Sequence, residues 1–222
     1  MTDSTGNIIP FNPLDKKNLG ASVAEAMLEQ KPHPLGELKQ FFGVGIYAIY
    51  YVGDFDAYAP LAERNRNGAL QAPIYVGKAV PKGARKGGGV GEVRSKALYD
   101  RLREHAESIQ LATNLEIKDF VCRFLVVDDI WIPLGESLLI AKFAPLWNAL
   151  IDGFGNHDPG SGRYNGLRPR WDVLHPGRTW AAKCKPREET QEQIIRDVQN
   201  YFATISFPAS HHVLGPDQQP SV

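Results

Sequence analysis

Cysteine is scarce in this sequence, with two in 222 residues, and no run of residues is both long and apolar enough to read as a membrane span. Cys122 lies in a strongly apolar, strand-like run and reads as a small core residue, so no disulfide with Cys184 and no zinc site is expected. The stretch Met1 to Pro10 lacks a basic start and an apolar core. Neither a secretory signal nor a transmembrane helix is therefore expected, and the expected location is the cytoplasm, in a bacterium. Low-complexity and repeated segments are also missing. Hydrophobic residues make up 43%, with aromatics spread along the chain, which points to one globular domain with arms rather than a disordered chain or two independent domains.

Net charge is lacking too, since the formal value is zero. That disfavours a nucleic-acid binder, because neutralising phosphate is the main source of affinity for a duplex. The distribution argues the other way. From Lys78 to Arg103 eight basic residues (Lys78, Lys82, Arg85, Lys86, Arg94, Lys96, Arg101, Arg103) face two acidic ones, and from Arg163 to Arg187 seven face Asp172 alone. Segregation of this kind makes a basic face plausible, with two ordinary solvated surfaces as the bland alternative.

The expected fold class is α/β (α+β), a small three-stranded antiparallel sheet flanked by helices. Residues 1–41 read as an N-terminal arm holding a short helix, Ser22 to Gln30, with Ala24, Met27 and Leu28 on one face. Residues 42–150 read as the core. Its strands are expected at Phe42–Val52, Pro73–Lys78 and Phe120–Val127, rich in aromatic and β-branched residues. One helix follows a Ser95 cap to about Gln110, with Leu98, Leu102, Ala106 and Ile109 as its stripe; another runs from Ile132, with Pro133 in its first turn, to a stop at Pro145. Residues 79–94, crowded with glycine and basic side chains, read as a basic loop insertion. Residues 151–222 read as a C-terminal extension of the same domain: a Gly/Pro/Arg-rich loop from Asp152 to about Arg178, a helix near Arg187–Phe202, and a tail after Pro208.

The chemistry-bearing pattern begins with Gly45-Ile46-Tyr47 on the first strand and Tyr75-Val76-Gly77 on the second. Alone, each could be a pair of structural tyrosines. Arg101 and His105 lie four apart on one helix side, offering a cation for a phosphate and a partner for a phenol. Glu136 shares a helix face with Leu139, Ile140 and Phe143. An ionised carboxylate there needs compensation, either a metal or a salt bridge. Asn148 follows shortly after.

This ordered set resembles the GIY-YIG nuclease superfamily over about residues 42–150, with Val76 in place of the isoleucine of the family name. Beyond the core, Gly155-Asn156-His157-Asp158-Pro159-Gly160 and Trp171-Asp172-Val173-Leu174-His175-Pro176-Gly177-Arg178 are similar to the type II restriction endonuclease branch, in particular to enzymes that cut CCGCGG. The resemblance implies hydrolysis of phosphodiester bonds in double-stranded DNA with Mg²⁺ or, as a substitute, Mn²⁺. It implies Tyr47 as general base sharing its proton with His105, Lys78 or Arg101 supplying the positive charge a phenol needs, and Tyr75 orienting water or phosphate. Arg101 would neutralise the scissile phosphate, Glu136 would bind a single metal, and Asn148 would brace the phosphate.

A palindromic target has two equivalent bonds and the chain has one set of motifs, so a homodimer is the expected assembly, with no membrane and no organic cofactor involved. Lys82, Arg85, Lys86, Arg94, Arg163, Arg168, Arg170 and Arg178 are the candidate DNA contacts, since the arginine fork matches guanine in the major groove. His157 and Asp158 stay out of the metal set because a turn explains the Asp. The competing readings are a homing or repair nuclease on the same core, or a DNA-binding protein that has lost catalysis.

Overall fold

The computed structural model describes residues 12, 14–80, 95–158, 160, 162 and 164–207. Its centre is strand β2, Gly45–Tyr51, every residue of which is buried. Flanking it are β3, Tyr75–Ala79, and β4, Phe120–Val126. The two-residue β1, His33–Pro34, adds to the far side of β4. The order is β1-β4-β2-β3 and all pairings are antiparallel. The mixed fold with a small antiparallel sheet is the expected one, and the N-terminal arm contributes the short fourth strand.

Helices cover both faces of the sheet, so β2 reads as an unbroken apolar and aromatic run instead of an alternating one. On one face Ile46, Ala48 and Tyr50 pack with Val76 against Ala24 and Met27 of α1, Lys16–Leu28, and Ile132 and Leu139 of α4, Ile132–Phe143. On the other, Tyr47, Ile49 and Tyr51 meet Leu98, Leu102, Ala106 and Ile109 of α3, Ala97–Leu111. The expected stripe of α3 is buried in full; the N-cap is Lys96, one residue after the expected Ser95, whose Oγ accepts from the Ala97 amide at 3.2 Å. Each fully buried aliphatic or aromatic side chain contributes roughly 1.5–3 kcal/mol, so this two-sided core is the main source of rigidity.

Two stretches differ from expectation. Residues after Asp56 form α2, Ala59–Asn65, where a loop was expected, because Pro60 sits in the first turn and a proline there needs no amide hydrogen. The loop expected from Asp152 to Arg178 contains α6, Arg170–Leu174, and is followed by α7, Thr179–Ala182. The four-residue α5, Leu146–Ala149, precedes it. Helix α8, Gln191–Thr204, opens with a Thr190–Gln193 capping box. Trp171, Leu174, Ile194 and Val198 from this C-terminal part join the same core cluster as Ile49, Leu102 and Phe120. Cys122 is buried in that cluster, where burial pushes its thiol up to about 12.

Candidate active site

Alternation along the strands divides the motif residues between two faces. Tyr47 pairs with Gly77, and Ile46 with Lys78. Tyr47 and Tyr75 therefore lie on the α3 side, whereas Lys78 lies on the side of α4. The two groups approach each other round the free edge of β3.

On the α3 side Tyr47 has no solvent exposure and its hydroxyl lies 2.6 Å from Nε2 of His105. The two rings are 5.4 Å apart, and Tyr75 lies 5.2 Å from His105 and 6.3 Å from Tyr47. Burial, and then the nearby Arg101 charge, hold His105 well below its ordinary 6.5. In the neutral tautomer that carries its proton on Nδ1, Nε2 accepts from the phenol. Burial, followed by the neighbouring Tyr75, raises Tyr47 well above 10, with Arg101 pulling the other way. Burial likewise raises Tyr75, again opposed by Arg101, and Glu136 raises both phenols.

Glycine is required beside these rings for space. A Cβ on Gly77 would fall 2.4 Å from the Tyr47 hydroxyl. One on Gly45 would fall 1.9 Å from the Leu125 carbonyl oxygen. Those contacts account for both glycines of the paired motif.

Round the edge, the Lys78 ammonium donates to Glu136 Oε2 at 2.6 Å, with the Glu136 side chain 17% exposed. Of the two compensations open to Glu136 on an apolar helix face, the salt bridge is present. Among the described residues no group of three or more His, Cys, Asp or Glu side chains is placed to hold a metal. A single carboxylate still suits a hard cation that keeps most positions for water and phosphate oxygens, so Glu136 fits Mg²⁺ or Mn²⁺ in that mode alone.

Asn148 lies against the edge of β3. Its Oδ1 accepts from the Val76 amide at 2.8 Å and its Nδ2 donates to the Val76 carbonyl at 2.9 Å. It acts as a surrogate strand on the open edge of β3, and the Trp147 amide does the same at Ile74. Asn148 therefore fixes the strand that carries Tyr75 and Gly77.

Arg178, expected among the DNA contacts, is placed in the interior. It is 3% exposed and all five of its N–H groups are used inside the chain, two on Asp172 and three on the carbonyls of Gly153, Phe154 and Asn156. It cannot reach DNA from there. Arg170 is similarly engaged, by the Leu150 carbonyl, Asp197 and Glu189. Arg168 donates to the Ala181 and Ala182 carbonyls and is half-buried. Lys82, Arg85, Lys86, Arg94 and Arg163 lie outside the described residues, as does most of the basic loop 79–94. Asp158 accepts from the Gly160 amide at 2.8 Å, the expected turn.

Sequence reasoning missed the residues that close the site from the C-terminal side. The Phe154 ring stacks on His105 at 4.5 Å, and Arg101 donates to the Gly155 carbonyl at 2.8 Å. Arg101 also contacts Glu104 and His157. The one signal available was an aromatic between two glycines, Gly153-Phe154-Gly155. A second buried pair was missed as well: Tyr58 donates to His175 Nε2 at 2.6 Å while accepting from Trp147, and His175 Nδ1 donates to Asn114.

A family model described as the Eco29kI GIY-YIG domain matches residues 39–202. A search of curated proteins finds no match. The matched span takes in the paired motif, α3, α4 and the C-terminal segment into α8.

Proposed function

The chain belongs to the Eco29kI GIY-YIG domain family, a restriction endonuclease family, and on that premise we propose that it cleaves double-stranded DNA at one short GC-rich palindrome, CCGCGG. The reaction in this proposal is Mg²⁺-dependent hydrolysis of one phosphodiester per site, with two chains acting as a C2 homodimer on a two-fold target. The observation that carries it is the Tyr47–His105 hydrogen bond of 2.6 Å, buried beside Arg101 and Tyr75.

GIY-YIG nucleases generally use divalent metals. Glu136 is the residue that would hold the ion, which when bound would supply positive charge to the phosphate and the departing 3′ oxygen. Lys78 holds Glu136 until then and would be released to a phosphate oxygen when the ion takes Glu136. Arg101 has the fork to neutralise the scissile phosphate.

For the attacking water, Tyr47 is the proposed base. A buried phenol held above 10 does not ionise by itself at neutral pH. Its proton has somewhere to go, because neutral His105 presents Nε2 along the hydrogen bond. Tyr47 takes the proton of water as its own passes to His105, so no free phenolate has to persist. Tyr75 orients the water. A second reading exchanges the two phenols, since Tyr75 is partly exposed and Tyr47 is not: Tyr75 then meets the water and Tyr47 relays its proton inward.

Residues 1–41, 42–150 and 151–222 are taken as arm, core and extension of one domain, with DNA contacts assigned to Lys82, Arg85, Lys86, Arg94, Arg163 and Arg168. Incubation with plasmid DNA and Mg²⁺, followed by sequencing of the ends, tests the whole reading. Discrete fragments ending within CCGCGG are expected. Random nicks or uncut DNA would sink it. Sedimentation showing only monomer on a cleavable duplex would remove the dimer.

A further inference from the structure

The segment Gly153 to His157 lies beyond the residues whose chemistry is obvious, yet it forms a wall of the site. Phe154 lies face to face with His105, the rings inclined by 16°, and edge-on to Tyr75 at 5.0 Å. The Gly155 carbonyl and the His157 imidazole each take one of the Arg101 terminal nitrogens. Both working side chains of α3 are therefore oriented by five residues of C-terminal chain.

What holds those residues is one buried arginine. Arg178 donates to the carbonyls of Gly153 at 2.9 Å and of Phe154 and Asn156 at 3.1 Å each. Its remaining donors grip Asp172 at 2.7 and 2.5 Å. The guanidinium carbon lies 4.5 Å from the centre of the Trp171 ring and 4.8 Å from that of Trp180. A planar fork with five fixed donors can hold a non-repetitive backbone in one conformation; an ammonium cannot. The segment also has no slack. Gly153 sits at φ +101, and a Cβ on Gly155 would fall 2.9 Å from the Tyr75 hydroxyl and 3.0 Å from Arg101 Nη2.

We propose that Arg178, through Asp172 and the segment Gly153–His157, is a positioning residue for DNA cleavage that sets Arg101 and His105 in their working geometry. This rests on the reading of Arg101 and His105 as parts of a nuclease site. Arg178 makes no contact with either of them; it acts through the backbone it holds, and its charge adds to the burial and the Arg101 charge that lower His105. Displacing reacting groups by about 1 Å can cost on the order of 100-fold in rate, so a loosened wall is expected to be costly in rate without loss of DNA.

The test compares the full chain with Gly155→Ala and Arg178→Lys, using plasmid DNA and Mg²⁺ under single-turnover conditions. DNA affinity without metal, thermal midpoint and the His105 Nε2 nitrogen resonance are measured alongside. Gly155→Ala pushes only on the flexible ends of Tyr75 and Arg101, so it keeps the fold. It is expected to cut roughly 100-fold more slowly with affinity and thermal midpoint unchanged. Arg178→Lys is expected to lose rate and to shift the His105 resonance. Arg178→Lys cutting at the wild-type rate with an unmoved His105 resonance overturns the inference, as does Gly155→Ala cutting at that rate or a rate loss matched by an equal loss of affinity; if Arg178→Lys does not fold, Asp172→Asn, which loosens the other anchor of Arg178, takes its place and is read in the same way. A wild-type chain that leaves the DNA intact overturns the nuclease reading instead, so the two failures are distinct.

Discussion

The Tyr47 hydroxyl and His105 Nε2 are 2.6 Å apart, and both side chains are sealed from solvent. An imidazole bonded to a phenol away from bulk solvent offers a direct path for a proton, although burial holds both groups neutral in the free protein. It is also a structural liability if either partner is lost.

Tyr47→Phe is accordingly expected to show two effects. Single-turnover cleavage should fall by about 10²–10⁴, the usual worth of a positioned base, while DNA binding persists. Stability should drop by roughly 1–3 kcal/mol, because His105 Nε2 is left buried without a donor. Tyr75→Phe should slow cleavage less. A larger loss for Tyr75→Phe would hand the base role to Tyr75 and leave Tyr47 as the relay.

Lys78 and a metal compete for Glu136, given the 2.6 Å contact between them. Lys78→Met should therefore tighten Mn²⁺ binding to the protein–DNA complex, read by electron paramagnetic resonance, and yet slow cleavage. Glu136→Ala should lose both. Weaker Mn²⁺ binding in Lys78→Met would contradict the assignment of Glu136 as the metal residue.

Arg178 and the basic side chains of the surface should separate in a salt titration. Removing a phosphate contact changes the slope of log affinity against log salt by about 0.9. Arg178→Ala should leave that slope alone and lower stability by about 3–5 kcal/mol in chemical denaturation, since it strands Asp172 in the interior. A changed slope with unchanged stability would restore Arg178 as a DNA contact.

Acid should weaken the fold through its buried imidazoles. His175 is pushed down to about 3 by burial, and His105 lies well below 6.5 for the same reason first. In the unfolded chain both titrate near 6.5, so as pH falls below that value the unfolded state takes up protons that the folded state refuses. Stability is complete above 6.5 and is lost progressively down to about 3 for His175. The urea midpoint should decline across that window, and His175→Gln should flatten the decline. An unchanged slope in His175→Gln would mean that other groups dominate.

Much of this was legible in the sequence because it depends on local chemistry. The β2 run, the α3 stripe of Leu98, Leu102, Ala106 and Ile109, the start of α4 at Ile132 with Pro133 in its first turn and the order of the motif residues all follow from periodicity, capping and spacing. The helix α2 was not legible, because its proline-led sequence reads equally well as a turn. The short α6 and α7 were hidden in a stretch whose glycines and prolines read as loop.

The sequence by itself determined which side chains could take part: two strand tyrosines, an arginine and a histidine one helical turn apart, and a carboxylate on an apolar face. Those follow from residue type and from periods of two and 3.6. Only the tertiary structure decided what each one touches. Asn148, read as a phosphate partner, bonds both polar groups of Val76, and Arg178, read as a DNA contact, spends its donors on Asp172 and on the carbonyls of Gly153, Phe154 and Asn156. Phe154 and Gly155, not foreseen as site residues, face His105 and Arg101. The physical reason is that a buried polar side chain must find its partners wherever the packed chain supplies them, and those partners here lie tens of residues away.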